Sequence, residues 1–235
     1  MSASERRSAA RTSVVWEALE PMLAGPPQEI LDIGGGTGGF AVRVAELGHR
    51  VTVVDPSPDA LASLDRRARE AGVGVTGRQG ELSTLLQVAA PASVDLVLCH
   101  GVLEVVDDPA AALATIVEVL RPGGTLSLLV AQRHAAVLAR AMAGHFQQAR
   151  DLLDNIDVGR SGHRFTAEEV SVLLADAGLA THQVHAVRVF ADLVPGSLLD
   201  LEPGATAALV ELERAVSDRP EYLPLAAQLH VLATR

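Results

Sequence analysis

The chain has 235 residues and is 49% hydrophobic, enough for the core of one doubly wound domain, and it contains no apolar run near the roughly 18 residues that a membrane-spanning helix needs. Its formal charge is −10 and all 19 basic residues are arginine, which argues against sequence-independent nucleic-acid binding and excludes a lysine base or Schiff base. The single cysteine, Cys99, excludes an intrachain disulfide and, set in an apolar strand, reads as a packing residue rather than a nucleophile. The first residues, MSASERRSAARTS, lack the apolar centre of a signal peptide, so a cytoplasmic protein is expected.

Ser4 to Leu23 read as an amphipathic helix, with Val14, Val15, Ala18, Leu19 and Met22 at helical spacing and Gly25-Pro26-Pro27 ending it. Trp16 reads as a packing residue. From Glu29 to Phe40 an apolar run, Ile30, Leu31 and Ile33, ends in glycines at 34, 35, 36, 38 and 39 ahead of a helical segment, FAVRVAEL. Such a strand, tight turn and helix bring unpaired backbone N–H groups to a ligand with no Cβ in the way. Two spacings are satisfied at once: G-x-G-x-x-G by Gly34, Gly36 and Gly39, and D-x-G-x-G-x-G by Asp32, Gly34, Gly36 and Gly38. Both expect an acid about 20 residues on, at the tip of the second strand, to bind ribose hydroxyls, and Asp55 at the end of HRVTVVD answers that.

The alternation continues with a strand from Arg50 to Asp55, a helix from Pro58 to Ala71 closed by Gly72, and a strand from Val73 to Arg78. Gly80-Glu81-Leu82 lies at that strand's carboxyl end, where open α/β sheets bind ligands; Glu81 also suits a helix N-terminus. Val94 to His100 is a near-continuous apolar strand of the kind buried on both faces. A helix from Pro109 to Leu120 then meets Arg121-Pro122-Gly123-Gly124, a breaker cluster ahead of a fifth strand, TLSLLV. Residues 131 to 165 read as one alanine- and methionine-rich helix with a polar tail, a small helical cover. Thr166 caps a helix to Ala177, with Glu169 at the capping-box position. Strands at THQVHAVRVF and AAQLHVLATR flank a helix from Gly204 to Val216.

The glycine loop, Asp55 and the R-P-G-G turn together resemble the class I S-adenosylmethionine-dependent methyltransferases. That resemblance implies an α/β, doubly wound, seven-stranded Rossmann-like fold with the last strand antiparallel, as a single domain over 1–235 with an N-terminal helix over 1–25. It narrows with HGVLEVVDDP, VLRPGGTLSLL, His134 followed by MAGHF, VRVFADL, the ending ALVELERAVSDRPEYLPLAAQLHVLATR, and Arg11 and Trp16 in the spacing R-x4-W. These stretches resemble the bacterial tRNA 5-carboxymethoxyuridine methyltransferase family, whose members methylate the side-chain carboxylate of a modified wobble uridine.

The resemblance implies S-adenosylmethionine as cofactor and S-adenosylhomocysteine as product. It assigns Asp32, Gly34, Gly35, Gly36 and Gly38 to the cofactor loop, Asp55 and Pro56 to the ribose, Gly80, Glu81 and Leu82 to the adenine, His100 to the methionine side, and Arg11 to the cofactor from the first helix. Arg188 matches the arginine that grips the substrate carboxylate, a job suited to a planar guanidinium, although an ion pair at a strand end would also explain it. His134 stands beside it as a second catalytic candidate. A carboxylate is already ionised at neutral pH, whereas a hydroxyl acceptor would call on a base such as His100, His134, His163 or His185. No metal-ligand spacing occurs.

Against that family's pattern, the aromatic-asparagine pair after strand five stands here as Ala131-Gln132, a lysine-rich segment stands as the acidic DLLDNID, and the tyrosine-and-glycine segment ahead of the first helix is absent. Arg133, Arg140, Arg150, Arg160 and Arg164 form either a tRNA patch or a solvated face. The acceptor is therefore open between tRNA and a hydroxyl- or carboxyl-bearing metabolite, as are a monomer and a dimer. A non-catalytic S-adenosylmethionine-binding protein is the third reading.

Overall fold

The computed structural model describes residues 3–153, 162–201 and 203–235. In chain order these form α1 (Ala3–Leu23), β1 (Glu29–Ile33), α2 (Gly39–Glu46), β2 (Arg50–Asp55), α3 (Pro58–Ala71), β3 (Val75–Gln79), a 3-10 helix (Leu82–Gln87), β4 (Val94–His100), α4 (Pro109–Val119) and β5 (Leu120–Ala131). They continue with α5 (Arg133–Met142), α6 (Phe146–Leu153), α7 (Ala167–Asp176), β6 (Ala180–Val187), α8 (Gly196–Leu201), α9 (Ala205–Ser217), a second 3-10 helix (Pro220–Leu225) and β7 (Gln228–Thr234).

The strands make one seven-stranded sheet in the order β3-β2-β1-β4-β5-β7-β6. Pairings among β3, β2, β1, β4 and β5 are parallel, and the last strand is antiparallel, as a class I methyltransferase fold requires. The strand order reverses between β1 and β4, the switch point at which such sheets open a ligand crevice.

The chain divides into two compact units. One holds Met22–Leu129, Ser171–Gln183 and Val231–Arg235, with a core of sheet residues such as Leu31, Ile33, Val53, Leu96 and Leu98, all at most 2% exposed. Its helices start where local chemistry dictates. The Ser57 hydroxyl accepts from the Ala60 N–H at 3.2 Å ahead of Pro58, and Asp108 accepts from the Ala110 and Ala111 N–H groups at 3.0 Å ahead of Pro109. The other unit holds Met1–Pro21, Val130–Val170 and Val184–His230, where Ala186, Val189, Val216 and Ala226 pack as one buried cluster and Ala191 with Leu209 as another.

Several expectations are corrected. The third strand lies two residues later at its start, over Val75–Gln79. The R-P-G-G cluster does not precede β5 but belongs to it: the register jumps from Val94 opposite Leu120 to Leu96 opposite Thr125. Gly123 and Gly124 keep their bonds because they pair with the end of β7, the Gly123 N–H on the Arg235 carbonyl at 2.9 Å and the Arg235 N–H on that of Gly124 at 3.0 Å. The single helix expected after Ala131 is two, because left-handed Gly144 (φ 78°) closes α5, with the His145 N–H on the Arg140 carbonyl at 2.9 Å. The capping box at α7 is present as expected, with the Thr166 N–H donating to Glu169 Oε2 at 2.9 Å and the Glu169 N–H to Thr166 Oγ1 at 3.2 Å. Among the described residues no helix is long and apolar enough to cross a membrane.

Candidate active site

A cavity of about 720 Å³ opens at the carboxyl ends of β1, β2 and β4. Of the cofactor residues expected from the sequence, Gly34, Asp55, Pro56, Gly80, Glu81, Leu82 and His100 line it. Asp32 is 4% exposed and lies beneath the loop: a Cβ on Gly35 would come within 2.5 Å of its Oδ2. The two positions thus fix each other's chemistry. Gly36 has φ 56°, a left-handed conformation that aims its N–H at Asp55 Oδ2, 2.9 Å away. Gly38 then caps α2.

Asp55 is the polar centre of this wall. It is 7% exposed, and its two oxygens accept one backbone N–H each, Oδ2 from Gly36 and Oδ1 from Ser57 at 2.9 Å. An ionised carboxylate has about four acceptor sites, so two remain, the number a ribose diol needs. Glu81 is the N-cap of the first 3-10 helix and accepts from the Ser83 hydroxyl at 2.6 Å, so the helix-terminus reading of this acid holds together with its place on the wall. His100 is half-buried, with Nε2 2.8 Å from Ser127 Oγ and its ring edge-on to Phe40 at 5.5 Å.

Val102, Val105 and Val106 also line this cavity and were not singled out as site residues from the sequence. Val105 is 75% exposed at the rim of the cavity. The signal was available: apolar residues placed straight after a buried strand, in the loop at its carboxyl end. Cys99, fully buried in β4, has its thiol pushed up to about 12 by burial, with the Glu104 and Asp32 carboxylates adding to the shift, which agrees with a packing role.

The other unit carries a second cavity, of about 310 Å³, and Arg188 lies on it with Gln132, Arg164, Asp192 and Gln228. Arg188 directly follows β6 in a left-handed conformation (φ 61°) that costs on the order of 1 kcal/mol for a residue with a Cβ. Its Nη2 donates to Asp192 and its Nη1 to Gln228 Oε1 at 3.4 Å, while the buried Nε has no partner. The ion pair at a strand end is therefore present, and of the guanidinium nitrogens only the buried Nε is left without a partner.

The remaining candidates separate. His134 is exposed in the first turn of α5, its Nδ1 3.3 Å from Gln132 Nε2, and does not line the Arg188 cavity. Arg133 is taken out of the arginine patch: its guanidinium is 12% exposed, bonds both Glu169 oxygens at 2.7 Å and reaches the Arg164 carbonyl at 3.0 Å. Arg140 and Arg150 are exposed, Arg164 is half-buried, and Arg160 lies outside the described residues. Arg11 is exposed on α1. His163 stacks on Phe165 at 5.9 Å and His185 on His230 at 5.3 Å. No group of described residues could hold a metal ion.

Residues 31–128 match the family model for a methyltransferase domain. The chain is 32% identical over 96% of its length, and 88% of the relative's, to the tRNA 5-carboxymethoxyuridine methyltransferase of Escherichia coli strain K12. It is 34% identical to the ubiquinone biosynthesis O-methyltransferase of Xanthomonas campestris pv. campestris strain B100, there over 51% of this chain and 49% of the other. In fold it is similar to an S-adenosylmethionine-dependent methyltransferase from Mesorhizobium loti, with a TM-score of 0.61, 24% identity and coverage of 94% and 98% of the two chains. Its cofactor is S-adenosylmethionine. The glycine loop, the acid at the tip of β2 and the full-length likeness converge: the chain belongs to the class I S-adenosylmethionine-dependent methyltransferases, in the family of the tRNA 5-carboxymethoxyuridine methyltransferase.

Proposed function

We propose that this enzyme methylates the side-chain carboxylate of a modified wobble uridine in tRNA, giving a methyl ester. The observation that carries the carboxylate is Arg188, whose half-buried guanidinium on a cavity of about 310 Å³ has an Nε–H with no partner. A guanidinium edge meets a carboxylate through two parallel hydrogen bonds. The likeness to the Escherichia coli tRNA enzyme over 96% of the chain supports the nucleoside.

S-adenosylmethionine supplies a methyl on a sulfonium, so that the carboxylate oxygen forms a bond to carbon as the sulfur–carbon bond breaks and neutral S-adenosylhomocysteine leaves. The residues of the larger cavity suit that cofactor: Asp55 keeps acceptor sites for the ribose hydroxyls, Leu82 and the backbone at Gly80 and Glu81 offer the adenine a wall, and His100 borders the methionine side. Asp32 and glycines 34, 35, 36 and 38 hold the loop that carries them, and Arg11 stays a cofactor contact on the family likeness. The enzyme has only to align an ionised acceptor and keep water out. No proton is moved, so the reaction makes no demand on His134, and the reading places the enzyme in the cytoplasm with its tRNA.

A second reading, a small-molecule O-methyltransferase, is favoured by one feature. Ala131 offers no ring for a base to stack on, and the buried Gln132 side chain is committed to capping α5 through the Ala135 N–H at 2.8 Å. Nucleoside digests of tRNA from cells lacking the gene, before and after treatment with enzyme and cofactor, test the two. Conversion of the carboxylate nucleoside to its methyl ester supports the tRNA reading; unchanged tRNA together with methylation of a metabolite extract supports the second.

A further inference from the structure

Glu213 is the only charged side chain of α9 that is wholly buried, at 0% exposure, and it sits between Leu209 and Val216, which pack in the two apolar clusters of this unit. Its carboxyl oxygens are matched there by three successive amides. The Val189 N–H donates to Oε2 at 2.8 Å, and those of Phe190 and Ala191 to Oε1 at 2.9 and 2.7 Å. These amides follow directly after Arg188, at the point where its left-handed backbone turns the chain off the end of β6. Four residues on from Arg188 comes Asp192, which takes its Nη2. The carboxylate of Glu213 therefore fixes the turn whose first residue is Arg188 and whose last holds its guanidinium.

We infer that Glu213 is the positioning residue of the acceptor grip: by gathering the amides of 189–191 it holds Arg188 in the left-handed conformation that keeps its guanidinium on the cavity where a carboxylate would be gripped. The inference rests on the reading of Arg188 given above. Glutamine in its place keeps the shape but has one carbonyl oxygen for three donors, and its amide group would meet an N–H with another N–H. The defect belongs to acceptor binding. It should leave the cofactor cavity, built by other residues, untouched.

The test is a double-mutant cycle on the full chain, with tRNA from cells lacking the gene as acceptor. Glu213→Gln should raise the acceptor KM by about tenfold, the loss of one or two buried charge-assisted bonds, with the cofactor Kd unchanged and the midpoint of unfolding still above the assay temperature. Added to Arg188→Ala it should cost nothing further, because it acts through that side chain. Effects that multiply, or a fall in cofactor affinity equal to that in acceptor affinity, would overturn the inference while leaving Arg188 as the grip. An Arg188→Ala enzyme as active as wild type would remove the grip itself, and with it the inference, a result distinct from the other. The Arg188 Nε–Hε resonance gives a readout that needs no acceptor. It should shift and broaden in Glu213→Gln and stay in place in Glu211→Gln, whose exposed carboxylate pairs with Arg214 on the same helix; a signal unmoved in Glu213→Gln would overturn the inference, whatever tRNA does.

Discussion

The two cavities are made by opposite means. Around Asp55 the walls come from one continuous run of βα units: glycine turns, strand ends and a capped 3-10 turn, with side chains such as Leu82, His100 and Val105 at or soon after the carboxyl ends of those strands. Around Arg188 the contacts join distant parts of the sequence: Arg188 Nη1 bonds Gln228 Oε1 at a separation of 40, and Glu213, behind the turn that follows Arg188, bonds backbone amides 22 to 24 positions away. A cavity set by local turns is hard to alter without altering the fold, whereas one held by a few distant side-chain contacts changes with a few residues. On the proposed reading the first holds the cofactor and the second the acceptor.

Four changes would break or sharpen that contrast. Arg188→Ala should cut kcat/KM for the carboxylate acceptor by about a thousandfold, the cost of losing a charge-assisted bidentate contact, while calorimetry finds cofactor affinity unchanged. Asp55→Ala should do the reverse, weakening the cofactor about a hundredfold and leaving acceptor binding alone. Gly38→Ala would put a Cβ 2.1 Å from Cδ1 of the buried Leu64 at φ 75°, so that Leu64 must repack and the backbone is strained, and should destabilise the fold by about 2 kcal/mol in denaturant titration.

The smallest effect is a pH effect. Burial lowers the pKa of His185 below its ordinary 6.5, outweighing the nearby Asp218 and Glu17 carboxylates and its contact with His230. Its folded pKa lies below its unfolded one, so between the two the unfolded chain binds more protons and stability rises with pH. The contribution is whole above 6.5 and is lost as the pH falls through that window. His185→Gln should flatten the acid side of the unfolding curve, with no change at pH 8 or so.

Local chemistry made the first cavity legible. The bounds of β2, α3 and β4 follow from their apolar runs and from Ser57, Pro58 and Gly72, and the acid at the tip of β2 stands where the glycine spacing demands it. Val102, Val105 and Val106 escaped because apolar loop residues look like core until the loop is placed. In the second region Arg188 came from family likeness, with no local pattern behind it. The three-amide cradle of Glu213 could not be read at all, since nothing in E-L-E says which distant amides it will meet. The same gap explains the break at Gly144 and the arginine that turned inward, Arg133, whose partner Glu169 is 36 residues away.

The most direct test of the acceptor assignment is transfer of labelled methyl from S-adenosylmethionine to tRNA prepared from cells lacking the gene. The account predicts label in tRNA that is released by mild base, as from a methyl ester, at a rate flat between about pH 6 and 8 because a carboxylate is ionised throughout. Label that survives base, or a rate that climbs through the range with a histidine-like pKa, would contradict it and point to a hydroxyl acceptor with a general base.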